Sequence, residues 1–213
     1  MTAHPKFIRA AAVAGAGALA VAGLGAIAPH ASAASADSTW TDGNSRFTMT
    51  VSDATPAVGD TVTITTQFQR KWAVEFIYDV KVLVPSCLSY QGGSSYWQSS
   101  PVSKVDPHEA TEPGDQAYVK VSAPNVTSWS VPGVGDSWGQ ARTVSMEFSV
   151  TPACATGQTQ GTGMHYGGSL GSGTYSDKGP SITVSSSGNG GNGGNDGGAA
   201  GSLDFGSLGG AFS

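Results

Sequence analysis

Gly167-Gly168-Ser169-Leu170-Gly171 matches G-x-S-x-G, the turn that presents a nucleophilic serine in α/β-hydrolases. That chemistry needs a strand running into a helix, and an acid and a histidine further along the chain to activate the hydroxyl. Here glycine and serine continue past the match and no histidine follows His165. In a chain with 31 glycines the match reads as chance, and no catalytic residue is assigned. Asp106-Pro107-His108-Glu109, with Glu112 and Asp115, gathers four carboxylates and an imidazole in ten residues. Oxygen ligands of this kind suit calcium, but the D-x-D-x-D spacing is missing and a solvated acidic loop explains the run equally well. No metal and no cofactor are therefore expected, Asp106, Glu109, Glu112 and Asp115 being the weak candidates. Zinc is disfavoured because His108 and His165 have no partner at ligand spacing.

Binding is the other chemistry on offer. Trp72, Trp97, Trp129 and Trp138, with Tyr90, Tyr96 and Tyr118, fall in loops and strand fragments. Exposed together, the four tryptophans would form a sugar- or protein-binding patch, since each supplies a large apolar face with a polar tip. The alternative is that they plug the ends of the fold. A second candidate lies at the end of the chain, where Leu203, Phe205, Leu208 and Phe212 return apolar residues after a glycine-rich tract, as a tethered docking motif would. The alternative there is an unstructured terminus without a partner.

The start of the chain sets the compartment. Residues 1–33 read as a signal peptide: Lys6 and Arg9 precede the small-apolar run Ala10–Ala28, Pro29 ends it, and Ala31-Ser32-Ala33 offers a cleavage site. The run is close to membrane-spanning length, so an uncleaved anchor competes, but Pro29 and the small residues favour cleavage. No second apolar run follows, the C-terminus reads as lacking a sortase-like signal, hydrophobic anchor or positive tail, and no lipobox Cys follows the signal segment. The mature chain is expected to be secreted and not membrane-spanning, either extracellular or loosely held at the envelope. In an exported chain the only two cysteines, Cys87 and Cys154, are most simply one disulfide. A net charge of −5, with ten Lys and Arg that nowhere cluster, excludes nucleic acid as a natural partner.

The elements that must position these groups are strands. Phe47, Met49 and Val51 alternate with Thr48, Thr50 and Ser52, and Val62, Ile64 and Phe68 alternate with threonines and Gln67, so Arg46–Phe68 reads as a hairpin with one buried face. Its connector ATPAVGD has the Pro, Gly and Asp that a turn uses. Further strands are expected at Phe76–Pro85, with Tyr78, Val80, Val82 and Val84 on one face, and at Ala117–Ser122. Thr143–Val150 should form another, with Val144, Met146, Phe148 and Val150 facing in, and Thr162–Leu170 and Pro180–Val184 should close the fold. With no amphipathic helix, about seven to nine short antiparallel strands predict an all-β sandwich over residues 45–185. Residues 34–44 read as a polar lead-in, 186–201 as a flexible Gly-rich linker within a disordered C-terminal tail, and 202–213 as an apolar terminal peptide.

Two segments carry a family resemblance. P-x-V-G-D-T-V-T-I-T at Pro56–Thr65 and V-K-V-L-V-P-S-C-L at Val80–Leu88 resemble the bacterial conserved-repeat Ig-like domains of cell-surface proteins, here in a single copy. The resemblance implies an Ig-like sandwich and a non-catalytic structural, adhesive or partner-docking role at the bacterial envelope, with an envelope protein or polysaccharide as partner. A carbohydrate-binding module is the alternative, and would require coplanar, exposed loop tryptophans. A small secreted hydrolase using the acidic loop and His165 is the less favoured one. The sequence carries no sign of the oligomeric state.

Overall fold

The computed structural model describes residues 33–111 and 115–186. The signal segment, Glu112, the linker and the terminal peptide with Leu203, Phe205, Leu208 and Phe212 lie outside the described residues.

The alternating segments pair into two antiparallel sheets, making an all-β, Ig-like sandwich. In chain order the strands are β1 (Ala36–Asp42), β2 (Ser45–Val51), β3 (Thr61–Arg70), β4 (Glu75–Leu83), β5 (Leu88–Tyr90), β6 (Tyr96–Trp97), β7 (Ser100–Pro101) and β8 (Lys104–His108). They continue as β9 (Tyr118–Ser122), β10 (Ser130–Val131), β11 (Arg142–Val150), β12 (Thr159–Gly161), β13 (Gly163–Gly168), β14 (Gly171–Tyr175) and β15 (Ser181–Thr183). One sheet runs β1-β2-β3-β11-β6-β7, with β5 also on β11; the other runs β14-β13-β4-β9-β8, with β10 also on β4; β12 and β15 form a small third pair.

The fifteen segments exceed the seven to nine expected because several loops contribute two- or three-residue pairings that are too short to show a period of two. Residues 34–44 also differ from the expected lead-in. They contain β1, which pairs along its whole length with β2, from Ala36 opposite Val51 to Asp42 opposite Ser45. Its exposed residues Asp37, Thr39 and Thr41 hide a strand with one moderately apolar face, on which Trp40 stacks on Phe47 at 5.6 Å.

The core is what the alternation supplies. Phe47, Met49, Val51, Val62, Ile64 and Phe68 from the opening hairpin meet Val144, Met146, Phe148 and Val150 from β11, all buried. Opposite them lie Val80 and Val82 of β4, Val119 and Val121 of β9, and Met164 of β13. Full burial of each such side chain stabilises by about 1.5–3 kcal/mol before conformational entropy is charged against it. One face assignment is corrected. Tyr78 does not join Val80 and Val82 in the core: the β4–β13 register steps from Asp79 opposite Gly167 to Ile77 opposite Gly168, leaving Tyr78 as the extra residue of a bulge. The bulge turns Ile77 inward and Tyr78 out to solvent.

The two ends of the sandwich differ. At one end the chain enters and leaves the described fold: Ala54 N–H donates to Ala34, and Ser185 N–H to Pro56. The Cys87–Cys154 disulfide lies at this end, joining the segments that follow β4 and β11 across 67 residues of sequence. At the opposite end lie the β1–β2 turn, the β3–β4 turn and the β10–β11 loop, held together by hydrogen bonds from Lys71 N–H to Asn44 and from Gly139 N–H to Arg70.

Candidate binding surfaces

The four candidate tryptophans do not form one patch. Trp97 and Trp129 are 8% and 4% exposed and stack on each other at 4.7 Å with their planes 7° apart, filling the space between β6 and the approach to β10. They are core residues. Trp72 is 50% exposed, and Trp138 is half-buried, with the Arg46 guanidinium 4.7 Å and the Lys71 ammonium 4.9 Å from its ring centre. Both cations gain from the negative face of the indole.

Trp72 has companions that the sequence did not single out. Val74 and Val134 are 47% and 56% exposed on the same end of the sandwich, Val74 in the β3–β4 turn and Val134 in the β10–β11 loop. The two loops are clasped backbone to backbone. The N–H groups of Val134 and Gly135 both donate to the Lys71 carbonyl, at 2.7 and 2.6 Å. The Trp72 ring lies close enough to Gly135 that a Cβ there would touch it at 3.8 Å. At Gly133 a Cβ would stand 2.4 Å from the Ala73 carbonyl oxygen, so only glycine allows the approach. Ala73 itself is held at φ +56°, a left-handed conformation that costs a non-glycine residue on the order of 1 kcal/mol. The turn therefore presents its side chains outward on a fixed, strained frame.

Beneath this plate is an ion pair that spans the base of the turn. Arg70 ends β3 and Glu75 begins β4, and Arg70 Nη1 lies 3.1 Å from Glu75 Oε2. Arg70 Nη1 also donates to Ser45 Oγ. Glu75 is only 2% exposed. Burial pushes its carboxyl above the ordinary range, against the opposing pull of Arg70 and the Leu170 N–H. Burial and the nearby Glu75 raise Tyr166 to about 12. Among the described residues, Glu75 Oε1 and Arg70 Nε have no hydrogen-bond partner. The pair fixes the ends of the four residues that carry Trp72 and Val74.

A second concavity opens on the flank near the disulfide end, where β5 of one sheet faces β8 and β9 of the other. This cleft of about 290 Å³ is lined by Val84, Leu88, Tyr90, Pro107, Val119 and Phe148 among others. His108 stacks on Tyr118 at 4.7 Å and Lys81 Nζ lies 4.0 Å from the same ring. The described members of the acidic run, Asp106, Glu109 and Asp115, do not converge on one point. Asp106 and His108 belong to β8, Asp106 lies opposite Lys120 in the ladder, and Asp115 is bonded to His108 Nε2 at 2.9 Å. That hydrogen bond is the main reason the Asp115 carboxyl sits below its ordinary range. Among the described residues no three His, Cys, Asp or Glu side chains are placed to share a metal ion. A chelator is accordingly expected to leave the melting temperature of the purified protein unchanged, and a clear drop would show a structural cation.

The serine match is structural. Ser169 lies in the β13–β14 turn, where its N–H donates to the Phe76 carbonyl at 2.9 Å and its Oγ accepts from Phe76 N–H at 3.0 Å. His165 is elsewhere on β13, 3.0 Å from Ser176 Oγ, and burial followed by the Lys81 charge lowers its pKa. Neither residue is directed at the other.

No family model matches the chain, and no curated protein is significantly similar to it in sequence. Among the solved structures that resemble it are the following three. A protein named as membrane-anchored, from Corynebacterium diphtheriae, shares 16% identity at a TM-score of 0.46, over 74% of this chain and 36% of that one, so this chain spans about a third of that protein's length. A Nocardia farcinica protein with an immunoglobulin-like fold shares 13% identity at a TM-score of 0.39, covering 61% of this chain and 92% of that one. A cohesin module of a Clostridium perfringens family 33 glycoside hydrolase shares 11% at 0.34, covering 67% and 98%.

Proposed function

We propose that this protein is a secreted, non-catalytic Ig-like docking module of the bacterial envelope, and that it meets its partner through the plate formed by Trp72, Val74 and Val134. The observation that carries this reading is placement. Three large apolar side chains, each about half exposed, are grouped on the end of the sandwich opposite both points where the chain joins the rest of its sequence. Any flanking segment or tether leaves from the far end, and the plate stays free to meet a partner. Exposed apolar groups on a rigid, clasped frame lose little entropy on binding and gain from leaving water. Arg46 and Lys71 beside Trp138 give the rim a positive character within an acidic protein. Branched aliphatic residues beside the indole favour an apolar protein surface over a sugar ring, and the burial of Trp97 and Trp129 removes the coplanar exposed array that a carbohydrate-binding module would use.

The test is capture from envelope fractions of the producing cells by three forms of the secreted chain: wild type, Trp72→Ser/Val74→Ser/Val134→Ser, and a chain truncated after Ser185. All three should fold, because exposed substitutions of this kind change stability by no more than about 0.5 kcal/mol each. Loss of capture by the triple variant alone is expected. Loss on truncation alone would move the docking role to the terminal peptide, and no capture by any form would count against an envelope partner.

A further inference from the structure

The cleft between β5 and β8–β9 lies on a different surface from the plate and is not used by the docking reading. We propose that it is occupied by the chain's own terminal peptide, residues 202–213, bound through Leu203, Phe205, Leu208 and Phe212. Val84, Leu88, Val119 and Phe148 form the cleft's packed floor, and the open rim offers the partly exposed rings of Tyr90 and Tyr118 and the exposed Pro107 for apolar contact, with Ser86 and Ser89 beside them to meet a peptide backbone.

Position is the stronger argument. The described fold ends at Ser186, just after Ser185 N–H bonds Pro56. The turn that contains Pro56 is bonded in turn to the end of β11, Gly59 N–H to the Val150 carbonyl at 2.9 Å. The next residue, Thr151, lines the cleft. The linker therefore leaves within a few strand spacings of about 4.8 Å from the cleft mouth. A glycine-rich chain of the length of residues 186–201 has a root-mean-square span of about 20 Å, enough to reach the cleft and turn back into it.

The terminal peptide is the one apolar stretch beyond the linker: its four large apolar residues follow SSSGNGGNGGNDGGAAG, which has none. A tether of this length gives such a peptide an effective concentration of about millimolar at the cleft, so even a weak apolar contact is populated within one chain before a second chain competes.

The test places a photoreactive benzoyl-phenylalanine at Phe205 of the full secreted chain and maps the adducts by mass spectrometry after irradiation. The expected result is adducts within one chain to the peptides containing residues 84–90 or 107–119, at a yield independent of protein concentration. With the probe kept and Leu203→Ser, Leu208→Ser and Phe212→Ser added, those adducts should be lost. Because all four positions lie in the tail, the sandwich keeps its fold in both forms. Adducts joining two chains would show that a second copy supplies the peptide and would overturn the proposal. So would adducts scattered over other surfaces, or none. The result does not depend on whether the Trp72 plate binds a partner.

Discussion

Replacing Arg70 by methionine is expected to destabilise the protein by about 3–5 kcal/mol, because it leaves the buried Glu75 carboxylate without its cation. The double variant Arg70→Met/Glu75→Leu should recover most of that loss, since an apolar pair of similar volume has no charge to desolvate. Urea unfolding of the single and double variants reads both values, and a double variant as unstable as Arg70→Met would show that the cost is packing rather than charge. The loss in Arg70→Met should also loosen the turn above and weaken capture through Trp72, where the double variant keeps the turn's packing.

The same carboxyl gives a pH signature. Its folded pKa is raised above the ordinary 4.5, so between those two values the folded state holds a proton that the unfolded chain has released. Stability contributed at this site therefore rises as pH falls through the folded pKa and levels off below 4.5. His165 acts in the opposite sense, its lowered pKa removing stability as pH falls through the ordinary 6.5. The difference between wild type and Glu75→Gln isolates Glu75: wild type should gain on the variant as pH falls toward 4.5. A difference independent of pH would contradict the burial of an ionisable group there.

The second large effect belongs to the disulfide. Cys87→Ala/Cys154→Ala is expected to cost about 4 kcal/mol, the chain-entropy value for opening a loop closed across 67 residues. A loss under about 1 kcal/mol would mean that the crosslink constrains little that the β5–β11 and β12–β15 pairings do not already hold. Because the crosslink lies at the end opposite the plate, the variant, assayed where it is still folded, should capture a partner as well as wild type does.

Much of the sandwich was legible because alternation is a direct consequence of strand geometry. The periods in Phe47–Val51, Val62–Phe68 and Val144–Val150 became buried faces without exception at those named apolar positions. The period fails where the backbone itself departs from regular extension, as at the Tyr78 bulge, which is set by pairing with Gly167 and Gly168 about ninety residues further along the chain. β14 is not legible in the sequence because Gly171–Tyr175 has too few side chains to show a period at all, and β1 because its outer face is polar.

The candidate surface was only partly visible. In the sequence Trp72 is an aromatic outside the clean strands, and nothing local distinguishes it from Trp97 and Trp129, whose burial follows from their stacking across the fold. The one signal that could have found the frame was the pair of opposite charges, Arg70 and Glu75, bracketing the break in alternation. Charges at the facing ends of two strands joined by a four-residue turn are placed to pair. Val134 could not have been found from its neighbours, because it is brought to Trp72 by backbone bonds to Lys71.

The most direct test of the docking role is to place a photoreactive amino acid either at Trp72 or at the exposed Thr174 of β14, and to irradiate the protein bound to intact cell envelopes. The plate reading predicts a discrete adduct with an envelope component from position 72 and none from position 174. Equal yields from the two positions, or an adduct from position 174 alone, would contradict it.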